Sequence, residues 1–386
     1  MKVDSIDRIS PLMIKPLVKK HYKVGEPLHF TAAPSTVKSV GTYEACVELA
    51  KDNNREFLEW NKSTMATKED AVANPQKYFV FADIRASETD IGELRLQNIK
   101  SDKNYITFQY NILFEVVSQK GAKGVLFFDE MNLAPNMIKA QFYKIINDKC
   151  VGDIPISPEV LCVSAGNEAE HARGVTEDPV PLVLRRANYF VRPLKPEEYI
   201  DFAQRSGYNK HIIGYLAFQP QDTHNIQYDL SDGVGQPCPR TWTKLNNISD
   251  DALENDMRML QMVATGFVGQ GCARKYVAYV KSAKKVNLDA IIKNPSKISE
   301  YEQGDLSLTY AIITGLAEKY KNNKKEMLGV IVQVANKMKR TELGTFLVRS
   351  VKNIDRSAFM KIGLLSVDGK ILDDFADRYQ KYVCDR

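Results

Sequence analysis

Through the first half of the chain, short apolar runs alternate with stretches whose apolar residues recur every three or four positions. The runs Glu26–Ala33, Tyr78–Ile84, Val125–Phe128, Val160–Ala165 and Ala187–Val191 have the length of strands. Where such a run is unbroken it suits a strand covered on both faces, as in a parallel sheet. Between them, amphipathic spacing predicts helices over Lys38–Lys51, around Phe108–Gln119 and over Asn136–Asp148. The last carries Met137, Ile138, Phe142, Ile145 and Ile146 on one face. Asp52–Pro75 is polar and reads as a connecting insertion, and residues 1 to about 23 as a lead-in. Strands alternating with helices from 24 to 195 indicate an α/β fold with a doubly wound parallel sheet. From Lys195 onward helical periodicity takes over, in Pro196–Arg205, Ala252–Phe267, Ala273–Ala283, Leu308–Tyr320 and Glu326–Met338. There is no internal repeat and no low-complexity tract.

Composition narrows this little. The 386 residues are 44% hydrophobic and 26% charged, ordinary for a globular chain. A net charge of +5 is too small to argue for nucleic acid. The basic stretch Lys321–Arg340 alternates with apolar residues at helical spacing, so it reads as a solvated helix face. The six cysteines form no CxxC, and Cys150 and Cys162 read as reduced core thiols. The five histidines show no metal-ligand spacing. No apolar run approaches the ~18 residues of a membrane span, and Lys2, Asp4, Asp7 and Arg8 replace an apolar leader. The expectation is a cytoplasmic protein with no membrane contact.

The chemistry sits where apolar runs end. Val125–Phe128 leads directly into Asp129 and Glu130. A buried strand ending in two acids places costly charges at the sheet's carboxyl edge, where open α/β sheets bind ligands. One carboxylate suits Mg²⁺ and the other a water, the acidic half of a nucleotide hydrolase. Upstream, Ala32-Ala33-Pro34-Ser35-Thr36-Val37-Lys38-Ser39 lies between a predicted strand and a predicted helix, where GxxxxGK[ST] would lie. Lys38 would bridge the β and γ phosphates, and Ser39 would take Mg²⁺. The glycines are missing, with Ala32 at the first and Val37 at the one before the lysine. A β-branched residue at positive φ would cost about 1–3 kcal/mol. Downstream, Asn167 ends the run Val160–Ala165 and suits a water or the γ-phosphate. Arg185 and Arg186 precede the last strand, and one of them suits an arginine finger reaching a neighbouring subunit. Arg240, in Cys238-Pro-Arg-Thr-Trp242, opens a helix of the second half.

The order AAPSTVKS, GVLFFDEMNLAP, SAGN, PLVLRR and PCPRTW resembles an AAA+ ATPase of the MoxR-like, dynein-related group, in versions common in bacteria and their phages. RASETDIG (85–92), NDKCVGDIP (147–155), GFVGQGCARKYVAY (266–279) and DAIIKNP (289–295) are similar to further family segments. The resemblance spans about residues 20 to 330. It implies a P-loop NTPase core over 1–195, a helical lid carrying a second sensor over 196–285 and a helical extension over 286–386. It implies a hexameric ring binding ATP and Mg²⁺ between subunits and remodelling a partner protein, often of von Willebrand factor A type. On matching positions, Ala33 to Ser39 would bind nucleotide, and Ser39 and Asp129 would hold the metal. Glu130 would orient water, Asn167 would be the first sensor, Arg185 or Arg186 the finger and Arg240 the second sensor. Leu133 departs from the basic residue often found after the acidic motif. The competing expectation is a structural oligomer subunit whose phosphate loop has decayed.

Overall fold

The computed structural model describes residues 7–99, 106–168, 178–227, 233–360 and 369–383. His171 and Cys384 lie outside the described residues. The chain divides into two compact units, Met1–Pro193 and Leu194–Arg386.

In the first unit, helix α1 (Ile14–Val24) precedes β1 (Leu28–Ala32), α2 (Lys38–Asp52), β2 (Glu56–Glu59), α3 (Met65–Ala73) and β3 (Tyr78–Arg85). A short α4 (Ile91–Leu94) leads into a hairpin of β4 (Arg95–Ile99) and β5 (Ile106–Tyr110), then α5 (Ile112–Ser118). After β6 (Lys123–Asp129) come α6 (Asn136–Asp148) and a small hairpin, β7 (Cys150–Val151) and β8 (Ile154–Pro155). The unit closes with β9 (Val160–Asn167), α7 (Val180–Val183) and β10 (Ala187–Val191). Six strands form one sheet in the order β10-β1-β9-β6-β3-β2, with every pairing parallel. Ile9 adds a parallel bridge to Val191 at one edge.

Successive strand residues point to opposite faces, and here both faces are covered. Phe30, Phe79, Phe81, Val125, Phe127, Leu161 and Val163 pack with Ile14 and Val18 of α1 and Ala45 and Leu49 of α2. Val80, Ala82, Leu126, Phe128 and Cys162 pack with Phe114 and Val117 of α5 and Ile138, Phe142 and Ile145 of α6. This is a three-layer α/β fold with a P-loop NTPase-type strand order, and it explains why the strand sequences are unbroken apolar runs.

Several local expectations need correction. The polar stretch 52–75 contains β2 and α3; β2 is a four-residue edge strand, too short and too polar to stand out. Phe108 and Tyr110 belong to the β4–β5 hairpin, so the following helix is shorter than its spacing suggested. Met137 is 68% exposed, whereas Ile138, Phe142, Ile145 and Ile146 are buried. Cys162 is buried and free as expected, but Cys150 is only half-buried.

The second unit is helical, beginning with α8 (Pro196–Arg205) and α9 (Lys210–Phe218). The run expected as one helix over 252–267 is two, α11 (Asp251–Asn255) and α12 (Met257–Val268), following α10 (Pro239–Ile248). Asp256 breaks it, leaving helical dihedrals and capping α12 by accepting from the Arg258 and Met259 amides. Next come α13 (Gln270–Ala283), α14 (Leu288–Lys293), α15 (Ile298–Gly304) and α16 (Leu306–Asn322). The last three helices are α17 (Lys324–Lys337), α18 (Thr341–Ile354) and α19 (Gly369–Val383). Tyr215, Trp242, Tyr276 and Tyr279 form a buried aromatic cluster. Hydrogen bonds from Gln204 to Ser350 (2.6 Å) and from Asn353 to Asp201 (2.9 Å) tie α8 to α18. No described helix is long and apolar enough to cross a membrane.

The close approach of β3 and β6 depends on Gly124, where a Cβ would lie 2.3 Å from the Val80 carbonyl oxygen. Gly124→Ala is therefore expected to lower the unfolding free energy by about 1–3 kcal/mol. Urea denaturation measures this, and an unchanged midpoint would contradict that packing.

Candidate active site

Four segments meet at the carboxyl rim of the sheet. β1 stops at Ala32, and the chain loops back to start α2 at Lys38. Two residues of that loop, Ser35 (φ 65°) and Val37 (φ 56°), occupy left-handed backbone conformations. Val37 stands at the pattern's glycine before the lysine, so there the loop takes the glycine-type shape without glycine. For a β-branched residue such as Val37 this conformation costs about 1–3 kcal/mol. The buried Thr36 steadies the turn, its hydroxyl donating to the Ala33 carbonyl at 2.8 Å. Ala33 is buried, and Pro34 is half-buried.

The loop delivers Lys38 and Ser39 as the first residues of a 15-residue helix, whose amino terminus carries a partial positive charge. The buried Lys38 Nζ donates to the Ala32 carbonyl (3.3 Å) and to Asn167 Oδ1 (3.1 Å). Ser39 Oγ donates to Asp129 Oδ2 at 2.9 Å. Thus Lys38, Ser39, Asp129 and Asn167, read separately from the sequence, are brought together. The register makes this possible, since Ala32 pairs with Asn167 and Phe128 with Ser164 on adjacent parallel strands.

Glu130 leaves the strand through a left-handed conformation (φ 54°) and its amide donates to Asp129 Oδ1 at 2.9 Å. Its carboxylate accepts from Ser87 Oγ at 2.5 Å. Asn132 grips the Asn167 backbone from both sides, donating to its carbonyl and accepting from its amide (3.1 Å). A Cβ on Gly166 would come within 2.9 Å of Asn132, so glycine is needed for that grip. Neither Ser87 nor Asn132 stands out in the sequence, because each acts on a segment distant along the chain.

Asp83 on β3 was also missed. Its Oδ1 is buried without a hydrogen bond. Burial, with Asp129 and Glu130 nearby, pushes its carboxyl up to about 6. A cavity of about 760 Å³ opens beside Ser39, lined by Tyr43, Glu59, Trp60, Asn61 and Asp83. It lies on the β2–β3 side and does not include Lys38 or Asn167.

The two arginines separate. Arg186 is buried, its side chain 2% exposed, with Nη2 2.5 Å from Asp178 Oδ2. Its guanidinium is thus engaged within its own chain. Arg185, its neighbour, is exposed. Arg240 is exposed in the first turn of α10, in the second unit.

The donor set fits Mg²⁺ held jointly with a phosphate. Among the described residues no three His, Cys, Asp or Glu side chains converge on a metal. Mg²⁺ commonly binds through one or two protein oxygens, with water and phosphate supplying the rest. Ser39 Oγ and Asp129 Oδ2, already in contact, are such oxygens.

No protein-family model matches the chain, and no curated protein does. Solved structures that align with it include a putative ATPase from Cytophaga hutchinsonii, at 10% identity over 95% of this chain and 88% of that one, TM-score 0.32. C. elegans PCH-2 aligns at 11% identity over 79% and 65%, TM-score 0.25. NtrX from Brucella abortus in complex with ADP aligns at 13% identity over 98% and 69%, TM-score 0.34. At this distance they assign no function, and the fold rests on the strand order itself.

Asp83 gives a pH prediction. A carboxyl whose folded value is raised stabilises below its unfolded value of 3.8, and that contribution is lost as pH rises to about 6. Asp83→Asn should therefore raise the melting temperature at pH 8, with the gain shrinking to nothing as pH falls through this window. A gain independent of pH would show that Asp83 ionises normally.

Proposed function

We propose that this chain is an ATP-hydrolysing AAA+ ATPase of the MoxR-like group, working as a ring oligomer that remodels a partner protein. The observation that carries the reading is the meeting of Lys38 and Ser39 with Asn167 and Asp129 at one rim of a parallel sheet. Lys38 and the amides of Ala33 to Ser39, with Pro34 contributing shape only, bind the β and γ phosphates. Ser39 and Asp129 hold Mg²⁺, which when bound supplies positive charge against the phosphate oxygens. Glu130 orients the attacking water, and Asn167 hydrogen-bonds that water or the γ-phosphate. The Lys38–Asn167 contact is then exchanged for phosphate contacts, so nucleotide arrival is felt directly by β9. Since Ser87 occupies Glu130, the base is held away from water until that bond opens, and basal turnover is slow.

Arg185 meets the developing charge on a neighbour's nucleotide, and Arg240 acts as the second sensor. Residues 196–285 form the lid and 286–386 an extension used in assembly or docking. The partner is a protein, with a von Willebrand factor A-type domain the class favoured by the resemblance.

The test is Glu130→Gln. Turnover should fall by about 10²–10⁴-fold while ATP affinity stays near wild type. Equal turnover in both proteins would reject hydrolysis. The left-handed Ser35 and Val37 favour a second reading, a scaffold subunit that has lost nucleotide. Val37→Gly separates the two. Relief of strain, less the entropy of an added glycine, should raise stability by about 1 kcal/mol. On the ATPase reading wild type already binds ATP and the variant binds it more tightly. Binding detectable only in the variant would support the scaffold.

A further inference from the structure

Away from the nucleotide site, the first unit buries a second set of charges. Lys139 of α6 and Arg186, just before β10, have side chains only 3% and 2% exposed. Both converge on Asp178, with Lys139 Nζ 3.5 Å from Oδ1 and Arg186 Nη2 2.5 Å from Oδ2. Arg186 Nε donates to Asn188 Oδ1 at 3.1 Å, and Asn188 Nδ2 donates back to the carbonyls of Val183 (2.7 Å) and Arg186 (2.9 Å). Arg186 Nη1 also donates to Ser164 Oγ at 3.4 Å, and Ser164 Oγ lies 2.8 Å from His29 Nδ1. Burial and the nearby Arg186, Lys38 and Lys139 keep that imidazole neutral, its pKa well below the ordinary 6.5.

For folding alone such a cluster is a poor choice, because apolar side chains of similar volume usually do as well or better. What charges add is position. The arm Asp178–Arg186 is pinned at its start by Lys139, near its middle through the Val183 carbonyl, and at its end by Asp178 and Ser164. Its outer surface bears Val180 and Leu184, 69% and 79% exposed, next to the exposed Arg185. Ser164 precedes Asn167 by three residues on β9, and His29 precedes Ala32 by three on β1. The pins therefore fasten the arm to the two strands whose ends hold Lys38.

We propose that the buried Asp178–Lys139–Arg186 cluster is a positioning device that fixes Arg185 relative to β9, presenting a pre-set cation to the nucleotide of a second copy of this chain. Arg186, Asp178 and Lys139 are positioning residues. They touch no phosphate, and act by removing the freedom Arg185 would otherwise lose in the transition state. The inference rests on the proposed function, in particular on Arg185 acting in trans.

The test uses full-length Asp178→Asn, which keeps the side-chain shape and removes the charge. Its kcat should fall by about 10-fold or more, since small misplacements cost up to about 10²-fold, with KM for ATP little changed. Mixed with Glu130→Gln, which has a dead site but an anchored arm, it should regain turnover above the sum of the two alone. Added to Arg185→Ala, the substitution should lower kcat no further. Asn188→Ala, an exposed change that releases the middle pin, should reproduce the effect should Asp178→Asn fail to fold. Wild-type kcat in both variants overturns the inference while leaving the proposed function standing. So does a mixture no more active than its parts, or a double variant well below Arg185→Ala. Wild-type turnover in Arg185→Ala, or none in the wild-type protein, overturns both.

Discussion

The contacts between Lys38 and Asn167 and between Ser39 and Asp129 are the constraint from which the rest of the first unit follows. Strands apolar on both faces gather most of their polar chemistry at their ends, the buried His29–Ser164 pair apart. Parallel pairing puts all the carboxyl ends on one rim, and the loop after β1 brings the positive end of α2 to the same rim. Asp129 therefore ends its buried strand beside a hydroxyl and a helix terminus. A carboxylate left there without them would bear an uncompensated desolvation cost.

Backbone strain gathers at this rim. Of the non-glycine residues with positive φ among those described, Ser35, Val37 and Glu130 are at the site, and Asn54 and Lys149 elsewhere. A left-handed valine persists only where its surroundings over-determine it. Here the buried Thr36, the start of α2 and the Lys38 contacts do so. The missing glycines thus change the energy of the loop more than its shape. Glu130 is a different case, since its turn carries the carboxylate away from the strand axis to Ser87.

The second unit is built on other physics. Its helices bury an aromatic cluster around Tyr215, Trp242 and Tyr276, and a mixed apolar one including Ile312, Ile331, Leu347 and Phe375. Polar ties such as Gln204–Ser350 join segments far apart in sequence, so the region expected to be lid and the region expected to be extension share one compact unit.

By itself the sequence determined the strands β1, β3, β6, β9 and β10, because two-sided burial demands apolar runs that little else produces. It also determined the polar residues at their ends, Asp129, Glu130 and Asn167, and the Lys38–Ser39 pair opening α2. Short or one-sided elements escaped it: β2 has four residues at an edge, the β4–β5 hairpin mimics helical spacing, and Asp256 divides a periodic helix. The tertiary structure alone decided the partners. Asn132, Ser87 and Asp83 matter only through segments dozens of residues away. Arg185 and Arg186 have the same chemistry and nearly the same neighbours in the chain. One is exposed and the other buried against Asp178, because which side of an arm faces the core is set by what packs beneath it.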